Sequence, residues 1–219
     1  MKIYLNLAFA ILLTTIIISQ SGCLKDNNEY PDVTASADTI YGTLKYKETD
    51  TLGAIIVDWP FGVATFKAIA GLDDVLASAT VNTDGTFMLI LPGKVAGVFL
   101  SSLTDASDRQ GGTIAVNPET IRFLSTIQYK VEYTDNGKAS SINTNLYTLK
   151  PDFTVDKSYF FNFYDMDGSF VGTGSTGNVF NWTFTKGWGM VESYVIGSTS
   201  GAFNSRSVTT LPENAVWVN

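Results

Sequence analysis

Histidine is absent from the 219 residues, and cysteine occurs only once, at Cys23. Without imidazole there is no Ser-His or Cys-His nucleophile pair, and most zinc and haem sites lose their commonest ligand. A lone cysteine excludes an intramolecular disulfide. Positive charge is also scarce. Lys and Arg number 14 against 21 acids, the formal net charge is −7, and charged residues make up only 16% of the chain. With no basic cluster to displace counterions, nucleic acid is excluded as a partner, and so is electrostatic adhesion to anionic headgroups. A hydrolase built on two carboxylates needs neither His nor Cys. Sequence alone does not show such a pair, and the chain reads as non-catalytic, with no metal and no cofactor.

Only one long apolar run is present. Lys2 precedes an almost wholly apolar stretch from Ile3 to Ser19, and the small residues Ser21 and Gly22 lead into Cys23. This layout is that of a secretory signal peptide over residues 1–22. Gln20-Ser21-Gly22-Cys23 resembles a lipobox, which implies cleavage before Cys23 and acylation of its thiol. Each buried CH₂ of such an anchor adds about 0.8 kcal/mol, so several acyl chains hold firmly. Lys25-Asp26 follows, and it resembles the export signal of Bacteroidota-type surface lipoproteins. That resemblance implies an outer-membrane, lipid-anchored location on the cell surface. Residues 23–38 are polar, contain Pro31 and form a tether.

Beyond residue 38 the chain is rich in β-branched and aromatic residues arranged in short runs between turn residues, a pattern that fits pleated, half-buried surfaces. The fold class expected is all-β. Strands are expected at 39–46, 52–58, 63–69, 75–81, 86–91 and 96–103, with a hairpin turn at Asp84-Gly85. Residues 104–120 read as a loop-like break carrying a short strand at 113–116, and 119–125 as a strand or linker. A second series follows from Ile127, where Tyr129, Val131 and Tyr133 alternate with polar residues. Its later strands are expected at 142–149, 158–165, 168–173, 178–186, 189–197, 201–208 and 214–218. No helix is expected after the leader. The division drawn is a β domain over 39–125 and a second all-β domain over 126–219, an antiparallel meander forming a small barrel or sandwich.

Ile40-Tyr41-Gly42-Thr43-Leu44, Leu52-Gly53-Ala54-Ile55 and Thr83-Asp84-Gly85-Thr86-Phe87 with Leu89 and Leu91-Pro92-Gly93 occur in that order. Together they resemble the transthyretin-like, carboxypeptidase-regulatory-like β-sandwich. The resemblance implies a sandwich over the first domain, serving as a non-catalytic module. It also implies roles found in that lineage, in glycan-uptake lipoproteins and in fimbrial subunits.

The aromatics concentrate after residue 126. In Tyr159–Tyr164, alternation places Tyr159, Phe161 and Phe163 on one face and Phe160, Asn162 and Tyr164 on the other. Phe180, Trp182 and Phe184 share a face. Tyr164, Trp182 and Trp188 are the candidate ligand-binding residues, as a platform on which sugar rings would stack. The reading that weighs more for these rings is simple core packing, with the platform second. Asp165 and Asp167 before Gly168 could begin a calcium loop, but the EF-hand continuation is missing, and a hairpin turn explains them better. Gly172–Gly177 lacks the Lys and following helix of a phosphate loop. The expected function is therefore a cell-surface lipoprotein that binds or presents a ligand, a glycan in an outer-membrane uptake system, with polysaccharide and transport proteins as partners. The alternatives are a structural or assembly subunit and, behind it, a carboxylate-based hydrolase.

Overall fold

The computed structural model describes residues 33–35, 38–50, 53–124, 127–196 and 201–219. Cys23, the leader and most of the tether lie outside the described residues. The described chain is all-β in class. Its strands are β1 (Val33–Thr34), β2 (Asp38–Asp50), β3 (Gly53–Asp58), β4 (Ala64–Ala70), β5 (Asp74–Val81), β6 (Thr86–Leu91), β7 (Lys94–Val95), β8 (Ser101–Ser102) and β9 (Ala115–Asn117). They continue with β10 (Arg122–Leu124), β11 (Ile127–Asp135), β12 (Lys138–Leu149), β13 (Val155–Tyr164), β14 (Gly168–Thr173), β15 (Val179–Phe184), β16 (Gly187–Val195), β17 (Phe203–Val208) and β18 (Val216–Val218).

Strands β11, β4, β5, β6, β2, β18 and β12 are joined in that order, and β11 also pairs with β12, so the ring closes into a barrel. Closure removes the unpaired edges that an open sheet would present. The long β12 serves two layers. Its first part, Lys138–Thr144, pairs with β11, while Leu146–Leu149 pairs with β13. From there the sheet continues through β13, β16, β17, β15, β14 and β9. All of these pairings are antiparallel except β15 with β17.

The division expected at 125/126 is not a break in the sheet. β4 and β11 pair from Ile127 opposite Ala70 to Glu132 opposite Thr65, and β18 lies parallel to β2 with Trp217 opposite Leu44. The physical reason is the edge problem. Strands β2 and β4 each present a bare edge that only strands from the second half of the chain cover.

Alternation fills the barrel. Ile40, Leu44, Phe66, Ala68, Val81, Phe87, Leu89, Val131, Leu146 and Trp217 are all buried in one cluster. Trp217 is at its centre, edge-on to Phe66 at 5.0 Å and to Tyr129 at 4.7 Å. Gly42 makes room for it, since a Cβ there would come within 2.6 Å of the Trp217 indole and 2.7 Å of Phe87. A second cluster, with Leu103, Ile121, Phe123, Tyr164, Phe170, Phe180 and Phe184, underlies the outer sheet. A third, around Ala70, Val95, Leu100, Leu124 and Phe163, shares Ile127 and Trp188 with the barrel cluster.

Two local expectations are corrected. An α-helix, α1 (Leu103–Gln110), occupies the stretch read as a loop. Its apolar face is little more than Leu103, which is fully buried, so hydrophobic period could not reveal it. Capping does the work instead. The Ser102 hydroxyl accepts the Asp105 N–H at 3.1 Å, Asp105 sits in the first turn and Arg109 in the last, and Gly111 ends the helix at φ +61°. Likewise 96–103 is not one strand but a 3₁₀ turn, Gly97–Phe99, followed by the short β8.

Candidate functional site

The late aromatics are placed first by their strands. On β13 both faces are covered, and Tyr164 is fully buried. Its ring stacks on Phe184 with centroids 3.7 Å apart and an interplanar angle of 3°, and its hydroxyl accepts the Asn162 amide N–H at 3.2 Å. Burial pushes the phenol far above its ordinary pKa, against the smaller opposing effect of Asn162. Trp182 on β15 is half-buried, stacks on Phe170 at 4.9 Å and donates its indole N–H to Ser205 Oγ at 2.8 Å. Trp188 on β16 lies edge-on to Phe163 at 5.2 Å and donates to the Pro92 carbonyl at 2.8 Å.

The expected platform is therefore corrected on Tyr164, which is a core side chain. Trp182 packs on the same cluster as Tyr164, whereas Trp188 packs on the barrel cluster and on the third cluster. The three do not form one face, and both indole N–H groups are already spent inside the protein. The reason is area: a large ring excluded from water on one sheet face contributes more in a core than on a surface.

The carboxylates of the Asp165-Met166-Asp167 turn are also committed. Asp165 accepts the Arg122 backbone N–H at 2.9 Å and the Arg122 Nε–H at 2.8 Å. Asp167 Oδ1 accepts the Lys186 N–H at 2.7 Å. Among the described residues no group of three or more acids, His or Cys is arranged to hold a metal ion.

Glu192 on β16 is the most enclosed acid among the described residues, only 3% exposed. It accepts from Lys157 Nζ at 3.1 Å, Tyr159 Oη at 3.0 Å and Arg206 Nε at 3.1 Å. Burial acts to raise its pKa, but the bonds from Lys157 and Tyr159 and the two positive charges outweigh it, and the net direction is downward. Tyr159 is pushed up to about 12, by burial first and then by Glu192. A carboxylate held ionised this way is a poor general acid. Its stabilising contribution is complete above the ordinary carboxylate pKa of 4.5 and is lost as pH falls through the lower folded value. A melting curve measured from neutral to acid pH should therefore fall less steeply for Glu192→Gln than for the parent. Equal slopes would refute the assignment.

What faces solvent is different. On β2 the period-two pattern turns Ile40 and Leu44 inward and leaves Tyr41 69% exposed. Beside it a cleft of about 410 Å³ opens in the barrel wall, between β2 and the segment that leads into β18. Tyr41, Thr43, Thr86 and Glu213 line it with polar groups, and Phe87 and Trp217 lie on its apolar side. Tyr41 pairs directly with Met88, which is 51% exposed, and Ile90 on the same strand is 55% exposed. An exposed ring, two hydroxyls and a carboxylate around an open cleft can stack and hydrogen-bond a hydroxylated ligand. Sequence reasoning passed over Tyr41, although the Ile-x-Gly-x-Leu spacing already turns residues 41 and 43 outward.

No protein-family model, curated protein or solved structure matches the chain.

Proposed function

We propose that this protein is a non-catalytic lipoprotein, acylated at Cys23 and carried on the outer face of the outer membrane, which binds glycan for an uptake system. The leader and the Lys25-Asp26 pair support the placement. The observation that carries the binding role is Tyr41, a large ring left exposed beside the buried Ile40 on β2, at the mouth of the 410 Å³ cleft. Sugar C–H faces stack on such a ring, while Thr43 and Glu213 supply partners for the hydroxyls.

Affinity electrophoresis of the full chain in mild detergent, through gels containing neutral polysaccharides, tests this. At least one polymer should retard the protein, and Tyr41→Ala should weaken that retardation about tenfold, the loss of one stacking contact. Retardation by no polymer, or an unchanged Tyr41→Ala variant, would overturn it. A second reading, an assembly subunit, draws on the contiguous exposure of Tyr41, Met88 and Ile90. Self-association seen as concentration-dependent sedimentation would favour that reading over glycan.

A further inference from the structure

Two turns of this chain are built from the same bonds. In Asn82-Thr83-Asp84-Gly85-Thr86, the Asn82 N–H donates to the Thr86 carbonyl and the Gly85 N–H to the Asn82 carbonyl, both at 2.9 Å. Asp84 Oδ1 accepts the Thr86 N–H at 2.9 Å and the Thr86 hydroxyl at 2.7 Å. In Lys150-Pro151-Asp152-Phe153-Thr154, the Lys150 N–H donates to the Thr154 carbonyl and the Phe153 N–H to the Lys150 carbonyl, again at 2.9 Å. Asp152 Oδ1 accepts the Thr154 N–H at 3.1 Å and the Thr154 hydroxyl at 2.6 Å.

The fourth residue of each turn is left-handed, with φ +83° at Gly85 and +59° at Phe153. Glycine adopts that conformation freely, whereas a bulky side chain does so only under strain. The first turn shows what the geometry asks for, and the second has phenylalanine in its place. Burial does not explain it, because Phe153 is 46% exposed. A local rule broken without a folding gain points to a use for the side chain.

Phe153 stands at a groove of about 270 Å³ on the far side of the β18 segment from the Tyr41 cleft. Ile56, Leu149 and Val216 give it an apolar lining, and Lys45, Lys150 and Asn214 supply polar groups. Lys45 is tied to Asp58. Lys150 is exposed and makes no ion pair within contact distance among the described residues, although its charge acts on Asp152, whose carboxylate accepts the Thr154 hydroxyl. In a chain of net charge −7, an exposed aromatic ring and an exposed ammonium lining one groove are a specific combination.

We propose that this groove binds an acidic sugar, a uronate residue of a polysaccharide. The pyranose face rests on Phe153, the carboxylate pairs with Lys150, and the Asn214 amide takes a hydroxyl. The proposal rests on the glycan reading above and names a ligand class, at a place separate from Tyr41. The negative charge elsewhere on the protein disfavours an acidic polymer there, so Lys150 also orients it.

The test is affinity electrophoresis of the full chain in mild detergent, with polygalacturonate against neutral galactan, together with melting temperatures. Polygalacturonate should retard the parent, and less so as salt rises and screens Lys150. Phe153→Gly, which copies the sister turn, should weaken binding about tenfold while the melting temperature holds or rises by about 2–4 °C. Phe153→Trp should retain binding, Lys150→Gln should lose it, and Tyr41→Ala should leave polygalacturonate binding unchanged. Full affinity in Phe153→Gly would overturn the proposal, as would a melting temperature lowered by that change or galactan binding as tightly at this groove. If neutral polymer binds through Tyr41 and polygalacturonate does not bind, this proposal fails and the broader reading stands. If no glycan binds, both fail.

Discussion

Trp217→Ala should destabilise the protein by about 3–5 kcal/mol, the range for emptying a large aromatic site in a packed core. The indole is 1% exposed and contacts Phe66, Phe87 and Tyr129. It also anchors the shortest stave of the barrel, which pairs on one side with Leu44 and Lys45 and on the other with Asn145–Tyr147. Loss of the ring therefore loosens closure as well as packing. Urea denaturation should show a lower midpoint, and a reduced slope if the barrel opens before the rest unfolds. Trp217→Phe should cost much less, because the buried indole N–H has no hydrogen-bond partner whose loss would be felt. A shift below about 1 kcal/mol for the alanine variant would show that β18 is dispensable for the barrel.

Asp165→Ala should have an effect of similar size, about 3–5 kcal/mol, for an electrostatic reason. The Asp165 side chain is 5% exposed and that of Arg122 is 16% exposed. Removing the carboxylate leaves the guanidinium in its enclosed setting without that counter-charge, and it takes away the acceptor of the Arg122 backbone N–H. These bonds, with the Asp165 N–H to the Arg122 carbonyl at 3.1 Å, lock β10 against the end of β13. The hydrophobic isostere pair, Arg122→Met with Asp165→Leu, should recover much of the loss. If the double variant were no more stable than Asp165→Ala, the charge argument would be wrong and the bonds to backbone would carry the effect.

Much of the strand pattern was legible because period two is a local property. The Asp84-Gly85 hairpin, the alternation of Tyr129, Val131 and Tyr133, and the shared face of Phe180, Trp182 and Phe184 all depend on neighbours within a few residues. The ring closure was not legible. Nothing near Ala64–Ala70 says that its second neighbour is Ile127–Asp135, and nothing near Val216 says that it runs parallel to β2. The helix at Leu103–Gln110 left only polar signals, Ser102 and Asp105 at its start and Gly111 at its end, which a search for apolar rhythm overlooks. At the candidate site, the types of residue were easier to name than their exposure. Alternation put Tyr164 on a face of its strand, but whether that face was wet depended on Phe184, twenty residues away. Phe153 was invisible for a different reason: the turn bonds need only Asp152 and Thr154, so the sequence gives no cue that residue 153 is left-handed.

The parallel seat of β18 beside β2 has a consequence for the order of events in biosynthesis. Leu44 waits for Trp217, so the wall cannot be completed until nearly the whole described chain has emerged. Contacts so distant along the chain are slow to form, because a long loop must first be closed. A chain cut between Leu149 and Val216 would leave two bare strand margins, on β2 and β12, with Phe66, Phe87 and Tyr129 open to water between them. Such a truncated chain is a template for edge-to-edge sheet aggregation.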